Sequence, residues 1–387
     1  MYSLIAVILI ILIIYPYLIY PCILMLINSL NTNKIKIHEE NESDGKIKFK
    51  VVFLICVYNG EKYIYKKLNN IINLDGYQDE LAIIVVSDCS TDNTDNIVTK
   101  FPHNSIKLIR TPDRFGKTKA ENYALKYIDA DIIIFSDVTT LFKNDIIKNV
   151  LPHFQNRAIG CVSTSDVIVP IHGEITDNQE GLYVKYEMFL RKLESNLGIL
   201  TGASGSGYAC RKELAIEIPT HLTRDLHIPL YGRQKKLYSI SDSRAKCYII
   251  EQKDIRLELN RKIRTFAGGI DTLLYMKKLL NPVKYGIFSW SLISHKLLRW
   301  MGGLFLLLLF PVSIILTFKH SMFGLILLTL QVVAYLYCYW RIFYGDFISN
   351  KYLNILFFFL LSNAAAAIAM MNCFMGKKYI TWEPTKR

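Results

Sequence analysis

No two of the eight cysteines are spaced C-x-x-C, and none stands with histidine at zinc-ligand spacing, which excludes a dithiol redox motif and a structural zinc site. Cys22, Cys338 and Cys373 fall in apolar, membrane-like segments; Cys56, Cys161 and Cys247 fall in strand-like runs. They read as small buried thiols in a reducing compartment. No Gly-Lys-Ser/Thr closes the glycine-rich stretch Gly202 to Gly207, so it is not a phosphate-binding P-loop. No basic region precedes the first apolar run and no small-residue cleavage site follows it, so a cleaved signal peptide is not expected. Internal repeats and low-complexity tracts are absent as well. The net charge is +13, yet no run of Lys/Arg is interleaved with aromatics, and nucleic acid is therefore not an expected partner. Anionic lipid head groups and a phosphate-bearing substrate suit the charge better.

Charge is also scarce in two long stretches. Met1 to Ile27 is apolar, and Leu304 to Phe374 is apolar except at Lys319-His320 and from Arg341 to Lys351. The run from Leu4 to Ile27 is long enough to cross a bilayer, with Pro16 and Pro21 expected to kink it. Lys34 and Lys36, the first basic residues after it, place the following domain in the cytoplasm. Three more spans are expected near Trp300–Phe318, Phe323–Phe343 and Leu353–Phe374. Three crossings put the tail outside, whereas its Lys377, Lys378, Lys386 and Arg387 favour the inside, and the two counts conflict. Tyr275 to Leu298 mixes Lys277, Lys278, Lys284 and Lys296 with apolar residues and Trp290, as a helix lying in the lipid interface would. The expected organisation is a membrane helix over 1–29, a cytoplasmic domain over 30–270, interfacial helices over 271–299, C-terminal spans over 300–376 and a basic tail over 377–387.

What the middle block does have is aspartate at the ends of apolar runs. Ile-Val-Val-Ser-Asp88 and Ile-Ile-Phe-Ser-Asp137 each read as a buried parallel strand ending in a carboxylate. In open α/β sheets that edge binds ligands. Strands are expected over Lys48–Val57, Leu81–Val86, Ser105–Arg110 and Asp131–Phe135, with helices over Glu61–Ile72, through Val98, and from Gly116 through Tyr127: a doubly wound α/β pattern. Two more strands are expected at Ile159–Ser163 and Asp166–Pro170, then a helix over Gln179–Leu197, the glycine-rich loop, the strand-like Tyr208-Ala209-Cys210, and a helix opened by Thr223-Arg224-Asp225. Arg261 and Arg264, three apart, share one face of a basic helix.

In that order these segments resemble the membrane-bound processive glycosyltransferases of family 2, the group of the cellulose, hyaluronan and poly-N-acetylglucosamine synthases. Cys56-Val57-Tyr58-Asn59-Gly60-Glu61 is similar to the family's Pro-Ala-Tyr-Asn-Glu-Glu start. Val86 to Thr94 resembles Asp-x-Ser-Thr-Asp-x-Thr, and Gly116-Lys117 with Ala120-Glu121-Asn122 resembles Gly-Lys-x-x-Ala-x-Asn. Ser136-Asp137-Val138-Thr139 stands at the Asp-x-Asp position, and Gly205 to Arg211 at the acceptor-side loop. Thr223-Arg224-Asp225 takes the place of Thr-Glu-Asp, and Arg261 to Thr265 that of Gln-x-x-Arg-Trp.

The resemblance implies a GT-A, Rossmann-like domain with a mixed sheet, flanked by membrane helices, that takes a nucleotide-sugar donor, UDP being the family's usual carrier. It implies donor binding by Tyr58, Glu61, Asp88, Lys117, Asp137, Arg261 and Arg264, and acceptor binding by Gly205, Ser206 and Gly207. Asp137 would hold Mn2+ or Mg2+, and Asp225 would be the general base of an inverting hexosyl transfer onto a growing glycan. Thr139, Arg224 and Thr265 depart from the pattern and bear on metal binding, charge beside the base and stacking of the acceptor sugar. Two rivals stand beside this reading. One is transfer of a single sugar to a lipid-phosphate or lipid-linked acceptor, which the few spans favour. The other is a non-catalytic export subunit with a degenerate transferase domain.

Overall fold

Seven consecutive apolar residues can be buried on both faces only where parallel neighbours flank them. In the computed structural model, which describes residues 1–31, 49–76, 81–169, 182–250, 254–345 and 350–381, Val51–Val57 forms such a strand, β1. It lies between β2 (Leu81–Ser87) and β4 (Ile132–Asp137), and β3 (Ile106–Arg110) follows β2, all parallel. Side chains alternate across the sheet. Phe53, Ile55 and Val57 pack with Ile64, Leu68 and Ile71 of the helix Glu61–Ile72. Val52, Leu54 and Cys56 pack with Ala120 and Ala124 of the helix Lys117–Leu125 on the other face.

The second half joins through one reversed strand, β7. β5 (Thr140–Phe142), β6 (Ile159–Val169), β7 (Gly207–Arg211) and β8 (Tyr238–Ile250) complete an eight-stranded sheet of order β3-β2-β1-β4-β7-β6-β8-β5. β7 runs antiparallel to β4 and to β6, β6 parallel to β8, and β5 antiparallel to β8. The sheet is mixed, as the resemblance implied.

Two local differences from the expected elements stand out. The strands expected at Ile159–Ser163 and Asp166–Pro170 are one strand, β6, with a register irregularity between Ser163 and Ser165 where it pairs with β8. β8 escaped notice because Asp242, Arg244 and Lys246 break its apolar pattern. Asp242 is buried and accepts from His153 Nε2 at 2.8 Å and from Arg244 at 2.8 Å, so the fold answers the charge. Lys34, Lys36, Lys48, Pro170, residues 179–181, Lys386 and Arg387 lie outside the described residues.

The chain divides into two compact units, one of Met1–Ile27, Gln252–Asp271 and Ser289–Lys378, the other of Asn28–Glu251, Thr272–Phe288 and Tyr379–Arg387. The second holds the sheet. In the first, three helices among the described residues are long and apolar enough to cross a membrane: Ile287–Phe318, Met322–Tyr344 and Tyr352–Phe374. The first of these starts well before Trp300, because the stretch expected to be one interfacial helix breaks at Gly286, which has positive φ, and its second part continues into the span. The N-terminal helix is not merely kinked. Tyr2–Ile14 and Ile19–Leu30 are separate helices bent by 54°, with Pro16 at the break, where no backbone N–H is available. Gln331 hydrogen-bonds across helices, to Ser313 Oγ at 3.0 Å and the Leu306 carbonyl at 3.4 Å. Asn363 donates to the Phe359 carbonyl in its own helix and packs against Gly302 and Gly303.

Burial works to raise the pKa of Asp242, but the hydrogen bonds from His153 and Arg244 outweigh it and hold the carboxyl at about 2. A carboxyl depressed below its unfolded value near 3.9 contributes stability above that value and loses it as pH falls through the folded one. Asp242→Asn should therefore cost about 2 kcal/mol at neutral pH, with the difference from wild type closing between about pH 4 and pH 2. Denaturant unfolding followed by intrinsic fluorescence across that range checks it; a gap that is independent of pH contradicts it.

Candidate active site

The register of the parallel strands fixes the site. Val57 pairs with Ser87 and Cys56 with Asp137, so β1, β2 and β4 end at one level and deliver residues 58–61, 88–94 and 138–139 to the same edge. The first two turns are stitched together. Asn59 N donates to Ser90 Oγ at 3.1 Å and its Oδ1 accepts from Thr91 N at 2.8 Å; Glu61 Oε2 accepts from Asn93 N at 3.1 Å. Arg114, which no sequence motif flagged, stacks over the Tyr58 ring at 4.0 Å.

Asp88, 2% exposed, turns both oxygens onto backbone: Oδ1 accepts from Phe115 N at 2.6 Å and Oδ2 from Gly116 N at 2.8 Å. Gly116 has φ +82°, and a Cβ there would collide with the carbonyl of Ile380, so only glycine fits. This clamp launches the helix Lys117–Leu125. Its first residue, Lys117, places Nζ 2.5 Å from Asp137 Oδ1. Burial works to lower the Lys117 pKa, but Asp137, Glu121 and Asp225 outweigh it and hold the ammonium well above the usual lysine range.

β7 brings the glycine-rich loop alongside, because Ser136 pairs with Gly207. Asp137 N donates to Ser206 O at 3.4 Å. Asp225, in the first turn of the helix Arg224–Gln234, lies against the same loop: Ala203 N donates to its backbone oxygen at 3.0 Å, and a Cβ on Gly205 would lie 3.1 Å from its Oδ2. Asp88, Lys117, Asp137, Asp225 and Gly205 to Gly207 thus share one edge, with Tyr58 and Glu61 on the adjoining turn. Arg261 and Arg264 are on the helix Ile255–Tyr275 in the other unit, where Arg261 pairs with Glu258 at 2.7 Å.

One buried cation was missed. Lys67 is fully buried behind β4, donating to Ser136 Oγ at 2.6 Å and the Thr140 carbonyl at 2.9 Å, with its ammonium 4.0 Å from the Phe142 ring centre. Burial lowers its pKa to about 8 against the opposing pull of Cys247 and Asp137. Helical spacing held the clue, since Ile64, Lys67, Leu68 and Ile71 form one buried face. Arg224, the departure beside the expected base, does not leave a net charge there. It donates to Glu121 Oε2 at 2.9 Å, to Asn122 Oδ1 and to the Ile216 carbonyl at 2.8 Å.

Breaking a buried ion pair from one side strands the other charge and costs about 3–5 kcal/mol, whereas replacing both partners by apolar residues is much less costly. Glu121→Leu and Arg224→Met should each lower the denaturant midpoint sharply, and the double variant should lie above both singles. A double variant less stable than either single contradicts the pairing.

Residues 52–217 match the family described as Glycosyl transferase family 2. A beta-monoglucosyldiacylglycerol synthase of Nostoc sp. is 23% identical over 180 residues, 46% of this chain and 38% of that protein. A poly-beta-1,6-N-acetyl-D-glucosamine synthase of Staphylococcus epidermidis is 23% identical over 231 residues, 58% of this chain and 55% of that protein. The matched stretch spans less than two thirds of either relative's own length. Among solved structures, the mannosyltransferase PcManGT from Pyrobaculum calidifontis, in complex with GDP-Man and Mn2+, superposes with a TM-score of 0.76 over 98% of this chain and 100% of that one, at 18% identity. That likeness is one of fold. Residues 52–217, which carry the strand-end aspartates, thus match a family 2 glycosyltransferase domain, and the mixed sheet has the fold of the PcManGT structure.

Proposed function

We propose that this protein is an inverting hexosyltransferase that moves a sugar from a nucleotide-sugar donor, with UDP as the expected carrier, onto a glycan hydroxyl at the membrane. One observation carries the reading: Asp137 and Asp225 meet at the same glycine-rich loop, and both act on the charge of Lys117. Tyr58 and Arg114 give the donor's base a flat cationic platform. Asp88 and Glu61 keep the surrounding turns in place. Lys117 offsets the negative charge of the diphosphate, a role the family resemblance also gives to Arg261 and Arg264.

Asp225 takes the proton of the acceptor hydroxyl, and that oxygen attacks the anomeric carbon from the face opposite the diphosphate. The bond to the leaving nucleoside diphosphate breaks as the new glycosidic bond forms, and the configuration inverts. Gly205, Ser206 and Gly207 let the acceptor approach backbone closely. Among the described residues no three His, Cys, Asp or Glu side chains could hold a metal by themselves. The donor set fits a hard cation that takes one carboxylate, from Asp137, and completes its shell with substrate phosphates and water. Mn2+ or Mg2+ bound there would neutralise charge developing on the leaving diphosphate.

A lipid hydroxyl or lipid phosphate is the second acceptor reading. It is favoured by the small number of candidate spans, three among the described residues or four if the bent N-terminal pair is one. The basic residues after the first apolar run support a catalytic domain on the cytoplasmic side.

Purified protein offered a panel of radiolabelled nucleotide sugars, with and without manganese, should transfer one of them only when the metal is present. Label should appear in a polymer for the first reading and in an extractable lipid for the second. Asp225→Asn should lower transfer on the order of a hundred- to ten-thousand-fold while donor affinity stays near wild type. Undiminished transfer by that variant removes Asp225 from the base role, and no transfer from any donor by the wild type removes the enzyme reading.

A further inference from the structure

Asp166 on β6 belongs to no motif of the sequence, yet it holds the glycine-rich loop. Its Oδ1 and Oδ2 accept from Ser204 Oγ at 2.6 and 2.7 Å. The same Ser204 oxygen accepts from Ser206 N at 3.2 Å, and Ser204 N donates to Ser163 Oγ at 2.8 Å. Arg191 donates to Ser163 Oγ at 3.2 Å from the helix Leu182–Asn196. At the far end of the loop, the Ser206 carbonyl accepts from Thr140 Oγ1 at 3.0 Å and from Asp137 N at 3.4 Å. Gly205, between the two serines, faces Asp225 Oδ2.

A hydroxyl has one proton and two lone pairs. With a carboxylate taking the proton of Ser204, its lone pairs are left for the Ser206 N–H, and the backbone from 204 to 206 has one satisfied arrangement. We propose that Asp166 is a positioning residue which, through Ser204, sets the distance between the glycine-rich loop and the Asp137 and Asp225 carboxylates. The inference rests on the transferase reading only for its consequence in acceptor use. The loop geometry itself is independent of it.

Hydrogen exchange of the full-length protein in detergent tests the bond directly. In Asp166→Ala and in Ser204→Ala, amides of residues 204–207 should exchange at least tenfold faster, with amides of β1 and β4 unchanged. The double variant should exchange no faster than the singles. Asp166→Asn, whose amide oxygen can still accept from Ser204, should stay within about threefold of wild type. With octyl β-glucoside as acceptor probe, the acceptor KM should rise about tenfold in the alanine variants and return toward wild type in Asp166→Asn. The Kd for the nucleotide sugar should stay within twofold throughout. Unchanged exchange in the alanine variants, or faster exchange with the acceptor KM unmoved, overturns the assignment. If the wild type binds no nucleotide sugar, the transferase reading fails and the exchange result alone decides this one.

Discussion

The ion pair between Lys117 and Asp137 is the constraint on which the site depends. An ammonium at the start of one helix is held against a carboxylate at the end of β4, so the two crossovers that generate them must finish at the same height. Asp88 makes that possible by fastening the Phe115 and Gly116 amides, which fixes where the helix begins. A carboxylate accepting two backbone N–H groups is among the stronger local restraints a loop can have. Both strand-end aspartates thus act on one lysine, Asp88 through backbone and Asp137 directly, and Asp225, from the start of a helix, adds to the charge that Lys117 meets.

The reversal of direction at β7 gives the site its second wall. A parallel sheet alone would offer only strand ends and helix starts. Because β7 runs antiparallel to β4, the loop that precedes it arrives beside the residues that follow β4. Ser206 then lies under Asp137, and Gly205 beside Asp225. The mixed sheet is therefore what brings the glycine-rich loop to the edge where the parallel strands end.

The sequence was most legible where burial and period agree. β1, β2 and β4 are continuous apolar runs ending in turn residues, and nothing in them competes with the strand reading. It was least legible where a charge is buried and answered from far away. Asp242 is satisfied by His153, Arg224 by Glu121, and Lys67 by Ser136 and Thr140, over separations of 89, 103 and 69 or more residues. No local pattern encodes such a partner. Arg224 therefore read only as a departure from a motif, and nothing near Asp242 or Lys67 in the chain pointed to their partners. Asp166 was silent for the same reason, since its partner Ser204 lies 38 residues on. The expected site residues of the sheet unit nevertheless fall at one edge, because Asp88 and Asp137 follow or end strands that flank β1 and β7 brings the glycine-rich loop beside them.

The charge around this edge limits what can bind there. Lys117 pairs with Asp137, Arg224 with Glu121, and Asp88 with two backbone amides, so these groups are engaged before any ligand arrives. A diphosphate adds at least two more negative charges to a partly buried place, where their repulsion is poorly screened. Lys117 and Lys67 are already engaged with Asp137 and with the turn behind it, and Arg224 with Glu121. On the proposed nucleotide-sugar reading, the diphosphate would therefore compete with Asp137 and Glu121 for the cations of this edge. A divalent cation carried in with the donor would relieve that competition at a site offering a single aspartate, and donor affinity would then depend on the cation that accompanies it.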